Sequence, residues 1–225
     1  MSSATTTLAR DYADPNRLGH GRGVPPTWLV PGRGEGGPSS KRIVTGFGFW
    51  IFLLSDIVMF SAFFAAFAVL RDQTAGGPAG SQIFDLRNTA IETACLLASS
   101  FACGLASIAA QQRRLMRYLL AMAVTFALGA TFLLLEVREF NGLVMQGAGP
   151  TRSAFLSSFF TLVGCHGLHV TAGLLWLLTM MAQVVAKGFR ADIMRRYLCF
   201  SLFWHALDII WVAVFTVVYL FGASA

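Results

Sequence analysis

The chain has 225 residues, of which 56% are hydrophobic and only 12% charged, with a net charge of +6. Soluble domains carry about 25% charged residues, so this composition excludes an ordinary soluble globular protein and points to the membrane. The basic balance follows from where the cations stand, beside the ends of apolar segments, and no nucleic-acid partner is expected.

Residues 1–42 alternate glycine, proline and scattered arginine, as in Gly32, Gly34, Gly36 and Gly37 beside Pro31 and Pro38. Such a stretch buries too little apolar surface to offset its ordering entropy, which predicts a flexible tail ahead of a membrane domain at 43–225. Trp28-Leu29-Val30 is its one short apolar patch. Five apolar runs follow, at Ile43–Leu70, Thr89–Ala110, Tyr118–Val137, Ser153–Ala186 and Tyr197–Phe221. Each reaches the roughly 20 residues that cross about 30 Å of hydrocarbon. They are hydrophobic nearly all round and lack the short alternating strands of a barrel, so the expected fold is all-α and polytopic. No internal repeat is visible, which argues against common transporter folds.

The connecting segments set the expected orientation. Arg33, Lys41 and Arg42, then Arg113, Arg114 and Arg117, then Lys187, Arg190, Arg195 and Arg196 fall on one side. Only Arg71, Arg87, Arg138 and Arg152 fall on the other. This bias places the N-terminus inside and the C-terminus outside. On the outer side, Gly147-Ala148-Gly149-Pro150 breaks the chain, with Thr151 or Ser153 as the N-cap of the fourth span. Glu92, Glu136 and Glu139 share that layer with Arg87, Arg138 and Arg152, and an outer rim of ion pairs is expected.

Ionisable residues inside the spans carry the functional question. One near the bilayer centre costs roughly 2.5–3.5 kcal/mol on insertion scales. His166 and His169 share a face of the fourth span, and His205 and Asp208 a face of the fifth. Both pairs lie near mid-membrane, roughly 12–20 Å from a helix end at 1.5 Å per residue. Three roles suit them: polar clamps between helices, a metal or haem site, or a proton relay. Clamps are favoured, because three histidines cannot serve two haems and their neighbours are apolar. Asp56 lies about 20 Å along the first span on the same rise. It is either an acid buried for packing, helped by Ser55 and Ser61 hydroxyls, or a group that influences proton movement. Cys95, Cys103, Cys165 and Cys199 lie in spans without C-x-x-C spacing and read as small buried hydrophobes. Ser99, Cys103 and Ser107 form one strip of small residues and Gly164, Gly167 and Thr171 another, suited to close helix approach.

Three motifs carry a resemblance. Phe159 to Leu174, centred on Cys165-His166-Gly167-Leu168-His169, closely resembles subunit III of haem–copper terminal oxidases. Ser201 to Trp211, with Trp204-His205-Ala206-Leu207-Asp208, looks like that family's last helix, and Gly48 to Asp56 like its acidic segment. Ile91-Glu92-Thr93, Glu136-Val137-Arg138-Glu139-Phe140 and Gly149-Pro150-Thr151-Arg152-Ser153 are similar to the bo-type ubiquinol oxidase form, as is the count of five spans. The Gly/Pro tail departs from that pattern. The resemblance implies an accessory subunit of a proton-pumping oxidase in a bacterial inner membrane. It implies no metal or cofactor in this chain, with haem and copper in partner subunit I. Contact with subunit I and the other subunits, bound phospholipid in a V between helices, and access to ubiquinone through the complex are also implied. The alternatives are the subunit III of a short-form cytochrome c oxidase and a free-standing membrane redox protein or transporter.

Overall fold

The computed structural model describes residues 41–78 and 80–223. The expected tail, including Trp28-Leu29-Val30, lies outside the described residues except for the start of the first helix. The chain divides into residues 1–49 and 50–225, and the packing below is that of the second unit.

The described residues form helices and turns, with no strand among them. The helices are α1 (Lys41–Leu70), a short α2 (Gly80–Ile83), α3 (Leu86–Gln111), α4 (Leu115–Met145), α5 (Ala154–Lys187), α6 (Ala191–Val214) and a last turn α7 (Phe221–Ala223). A π-helical stretch, Phe215–Leu220, continues α6. Five are long and apolar enough to cross a membrane, α6 with its π continuation counted as one. The all-α, five-span expectation holds.

The boundaries differ from the sequence reading in an informative way. α4 runs to Met145 and α6 starts at Ala191, so both extend beyond their apolar runs. Arg138 and Glu139 stand within α4, beyond the apolar run that ends at Val137. Hydropathy reports what lipid tolerates, whereas a helix ends where its backbone finds caps. Asp85 accepts from the backbone N–H groups of Arg87 and Asn88 to open α3. Ser153 accepts from Leu156 N–H to open α5. Gly188, at φ +69°, closes α5 in the left-handed region that glycine reaches without strain.

In α1 the buried side chains are Leu53, Phe60 and Phe67, seven residues apart. That spacing makes one narrow seam, and Ile51, Phe52, Ile57, Val58 and Val69 around it are exposed. The seam rests on α5: Phe60 packs edge-on to His169 at 5.3 Å between ring centres, and Phe67 meets Phe155 at 5.9 Å.

The core of the unit is a ladder between α3 and α6. Tyr197 O–H donates to Cys103 O at 2.9 Å, Trp204 Nε1–H to Ser99 Oγ at 3.2 Å, and Trp211 Nε1–H to Thr93 Oγ1 at 3.0 Å. These donors on α6 recur every seven residues, and their acceptors descend α3, as antiparallel helices require. The small strip Ser99–Cys103 is where α6 leans in. Trp204 also lies across glycines of two further helices: a Cβ at Gly129 of α4 would come within 3.0 Å of its ring, and one at Gly173 of α5 within 2.9 Å. One indole therefore keys four helices together.

Candidate functional site

The intramembrane polar residues separate into four places. His166 is fully buried among rings, with Trp211, Phe132 and Phe60 at centroid distances of 5.1, 5.8 and 6.4 Å. Neither of its ring nitrogens has a hydrogen-bond partner. His169, one turn on, donates from Nδ1 to its own helix at Cys165 O, 2.7 Å away. Among the described residues neither histidine hydrogen-bonds to another helix; their contacts across helices are aromatic. No hydrogen bond among the described residues joins these histidines to His205 or Asp208; they meet α6 through the rings of Trp211 and Phe203, at 5.1 and 6.4 Å.

His205 makes an interhelical bond, and its partner is on α3. Its Nδ1 and Ser100 Oγ are 2.6 Å apart. Asp208 lies in the same half-buried place, and its Oδ1 has no hydrogen-bond partner. Sequence reasoning missed Ser100 because spacing puts His205 and Asp208 on one face of α6 without saying which neighbour that face meets. His205→Ala is expected to weaken the α3–α6 contact by about 0.6 kcal/mol, and at most about 1.7, the range measured for interhelical bonds in membranes. Ser100→Ala should cost the same and the double variant no more, read from the temperature at which the purified assembly loses this chain. Additive losses would show that the two side chains act separately.

Glu92, Glu136 and Glu139 form the third place. They come from α3 and α4 and lie close enough to interact electrostatically. The expected outer ion pairs are absent: among the described residues the ion pairs are Arg71–Asp72 and Arg190–Asp192. The reason is helical phase. Arg138 is two residues from Glu136 and one from Glu139, so it cannot share their face. It is exposed, as are Arg87 and Arg152, while Glu92 and Glu136 are buried. Neutral groups serve instead: Asn88 Nδ2–H donates to Glu92 Oε1 at 3.3 Å, and Tyr219 O–H to Glu139 Oε2 at 3.5 Å. One oxygen of each carboxyl has no partner. Glu136 lies over the bare face of Gly167, where a Cβ would come within 2.7 Å of Oε1.

Tyr219 reaches this place because of the π stretch. Eight residues of α-helix would turn it roughly 80° from Trp211. The wider π turn takes up much of that offset. The two rings then lie 6.2 Å apart on one side, with Phe84 at 4.9 Å from Tyr219. Nothing in the hydropathy pattern announces that shift.

Asp56 is the fourth place. It sits on the α1 seam between Leu53 and Phe60, half-exposed in the chain by itself and within electrostatic reach of Cys165. Ser55 and Ser61 were expected to donate to it. They donate instead to Phe52 O at 2.6 Å and Ile57 O at 2.7 Å of their own helix. No group of three or more His, Cys, Asp or Glu side chains is arranged to hold a metal ion among the described residues.

This chain matches the model of a protein family, cytochrome c oxidase subunit III, over residues 36–223. It belongs to that family. Subunit III of the cytochrome bo(3) ubiquinol oxidase of Pseudomonas aeruginosa is 54% identical over 179 residues, 80% of this chain and 86% of that protein. A quinol oxidase subunit 3 of Bacillus subtilis is 41% identical over 175 residues, 78% of this chain and 86% of its own length. A cytochrome c oxidase subunit 3 of Bacillus sp. strain PS3 is also 41% identical, over 78% of this chain and 84% of its own length. The resemblance read from Cys165 to His169 and from Trp204 to Asp208 is thus a family relationship. In this subunit III the family motif serves packing visibly: Gly167 and Gly173 admit Glu136 and Trp204, and His166 fills an aromatic cage.

Proposed function

We propose that this chain is the accessory, non-catalytic subunit III of a proton-pumping ubiquinol oxidase that reduces oxygen to water in a bacterial inner membrane. The carrying observation is the 54% identity to a protein named as a ubiquinol oxidase subunit, against 41% to one named for cytochrome c. In this reading haem and copper reside in subunit I. The chain stabilises that subunit, contacts the other subunits and holds phospholipid. The narrow Leu53–Phe60–Phe67 seam supports a splayed V with lipid in its cleft, and the basic bias supports an inside N-terminus.

A tag after Ala225, purified in mild detergent, tests the proposal. Co-purification of a haem-bearing subunit I, with oxygen uptake driven by ubiquinol and not by reduced cytochrome c, is expected. The tag should also be reached from outside in intact spheroplasts. Uptake driven by cytochrome c favours the second reading, a short-form cytochrome c oxidase, which the Bacillus sp. PS3 relative supports. Haem or metal bound stoichiometrically to the separated chain would instead indicate a free-standing redox protein.

Asp56 is the residue assigned a proton-related role, because it is an acid half-exposed on a membrane-facing helix. Asp56→Asn keeps its shape. The oxidase should assemble normally and lose turnover durability, read as faster inactivation between pH 6 and 9. Equal inactivation kinetics across that range would leave packing as its only role.

A further inference from the structure

Two basic segments far apart in sequence meet at one end of the bundle. Tyr118, just inside α4, packs edge-on against Phe189 in the α5–α6 turn at 5.6 Å and against Tyr197 of α6 at 5.5 Å. This contact sets Arg113, Arg114 and Arg117 beside the turn that carries Lys187 and Arg190, with Arg195 and Arg196 one to two turns into α6. All are exposed except the half-buried Arg195. Among the described residues of these segments the only acid is Asp192, and it is paired with Arg190 at 3.4 Å. Directly beside the cations the surface is apolar and open: Met116, Leu120 and Val185 are 79, 69 and 61% exposed. Arg113 adds a separate observation. It holds φ +54° in the three-residue turn between α3 and α4, a conformation glycine takes freely and a long side chain rarely adopts. The turn keeps a cation where the backbone favours none.

We propose that this corner is a binding site for anionic phospholipid, its phosphate held by the arginines of both turns and an acyl chain lying along Met116 and Leu120. Charge complementarity selects an anion, and apolar side chains exposed one turn away select one that carries hydrocarbon. The site is distinct from lipid in a cleft between helices. It rests on the chain spanning a membrane and not on the identity of the electron donor.

The test uses the purified, delipidated oxidase and measures retention of dioleoylphosphatidylglycerol against dioleoylphosphatidylcholine by native mass spectrometry. The wild-type complex should retain the anionic lipid in preference, and added salt should weaken it. Removing Arg113, Arg114 and Arg117 together as glutamines should lower its affinity more than tenfold, as should the same change at Arg190, Arg195 and Arg196. Each surface cation contributes about fivefold on this scale. The same change at Arg71, Arg87 and Arg138 is the control and should do nothing. Arg113→Gly relaxes the turn, so it assembles even where a triple variant fails, and should still lose about fivefold. Equal retention of both lipids, an unchanged affinity in Arg113→Gly, or full displacement by glycerol 3-phosphate without acyl chains would overturn the proposal.

Discussion

Trp204→Ala is expected to release subunit III from the purified oxidase at a markedly lower temperature than the parent chain. The indole is 2% exposed, lies against the bare faces of Gly129 and Gly173, and donates to Ser99. Truncation empties a space bounded by α3, α4 and α5 at once and leaves Ser99 without its donor. Buried Trp→Ala changes cost about 3–5 kcal/mol in proteins where they have been measured, and a rigid bundle relaxes little into the void. Trp204→Phe keeps most of the ring and loses the N–H, so it should fall between the two. The measurement is a thermal ramp of the detergent-purified complex, followed by separation of bound and free subunits. Retention of the alanine variant to the parent temperature would mean that the four helices are held by other contacts.

The second large effect comes from filling the same notch from the other side. Gly173→Val would push a branched side chain into Trp204, which a single Cβ already meets at 2.9 Å, and towards Phe203 at 3.3 Å. The indole cannot swing away, because Gly129 on α4 is as close on its other flank. Overpacking of this kind costs typically 1–3 kcal/mol, and a blocked aromatic puts it near the upper end. Loss of the subunit from the tagged complex is expected. Gly173→Val combined with Trp204→Leu should recover part of the loss, since neighbours that share one space are not additive. If the valine variant assembles normally, or the double variant is worse than either single, the notch is not what sets the approach of α5 and α6.

The glutamate group shows why the candidate site was harder to read than the fold. Glu92, Glu136 and Glu139 were legible as three acids in one layer, and Arg87, Arg138 and Arg152 as three bases in that layer. A layer gives height along the membrane normal and says nothing of azimuth. On a helix, 100° per residue puts Arg138 about 200° round from Glu136, so that acid turns inward and that arginine outward. The histidines repeat the lesson. Their depth followed from counting residues, yet His166 found rings and His205 found Ser100.

Five spans, the all-helical class and the family were determined by the sequence alone. Burial in hydrocarbon acts on composition over a whole segment, and motifs such as Cys165–His169 are contiguous in the chain. Which faces of those helices meet was decided only by the tertiary structure. The seven-residue ladder of Tyr197, Trp204 and Trp211, the glycine notches around Trp204, and the π turn that brings Tyr219 to Glu139 all depend on helix phase. In segments that are apolar all round, no hydrophobic stripe encodes that phase. It is set by shape and by a few hydrogen bonds that exist only once the helices have packed.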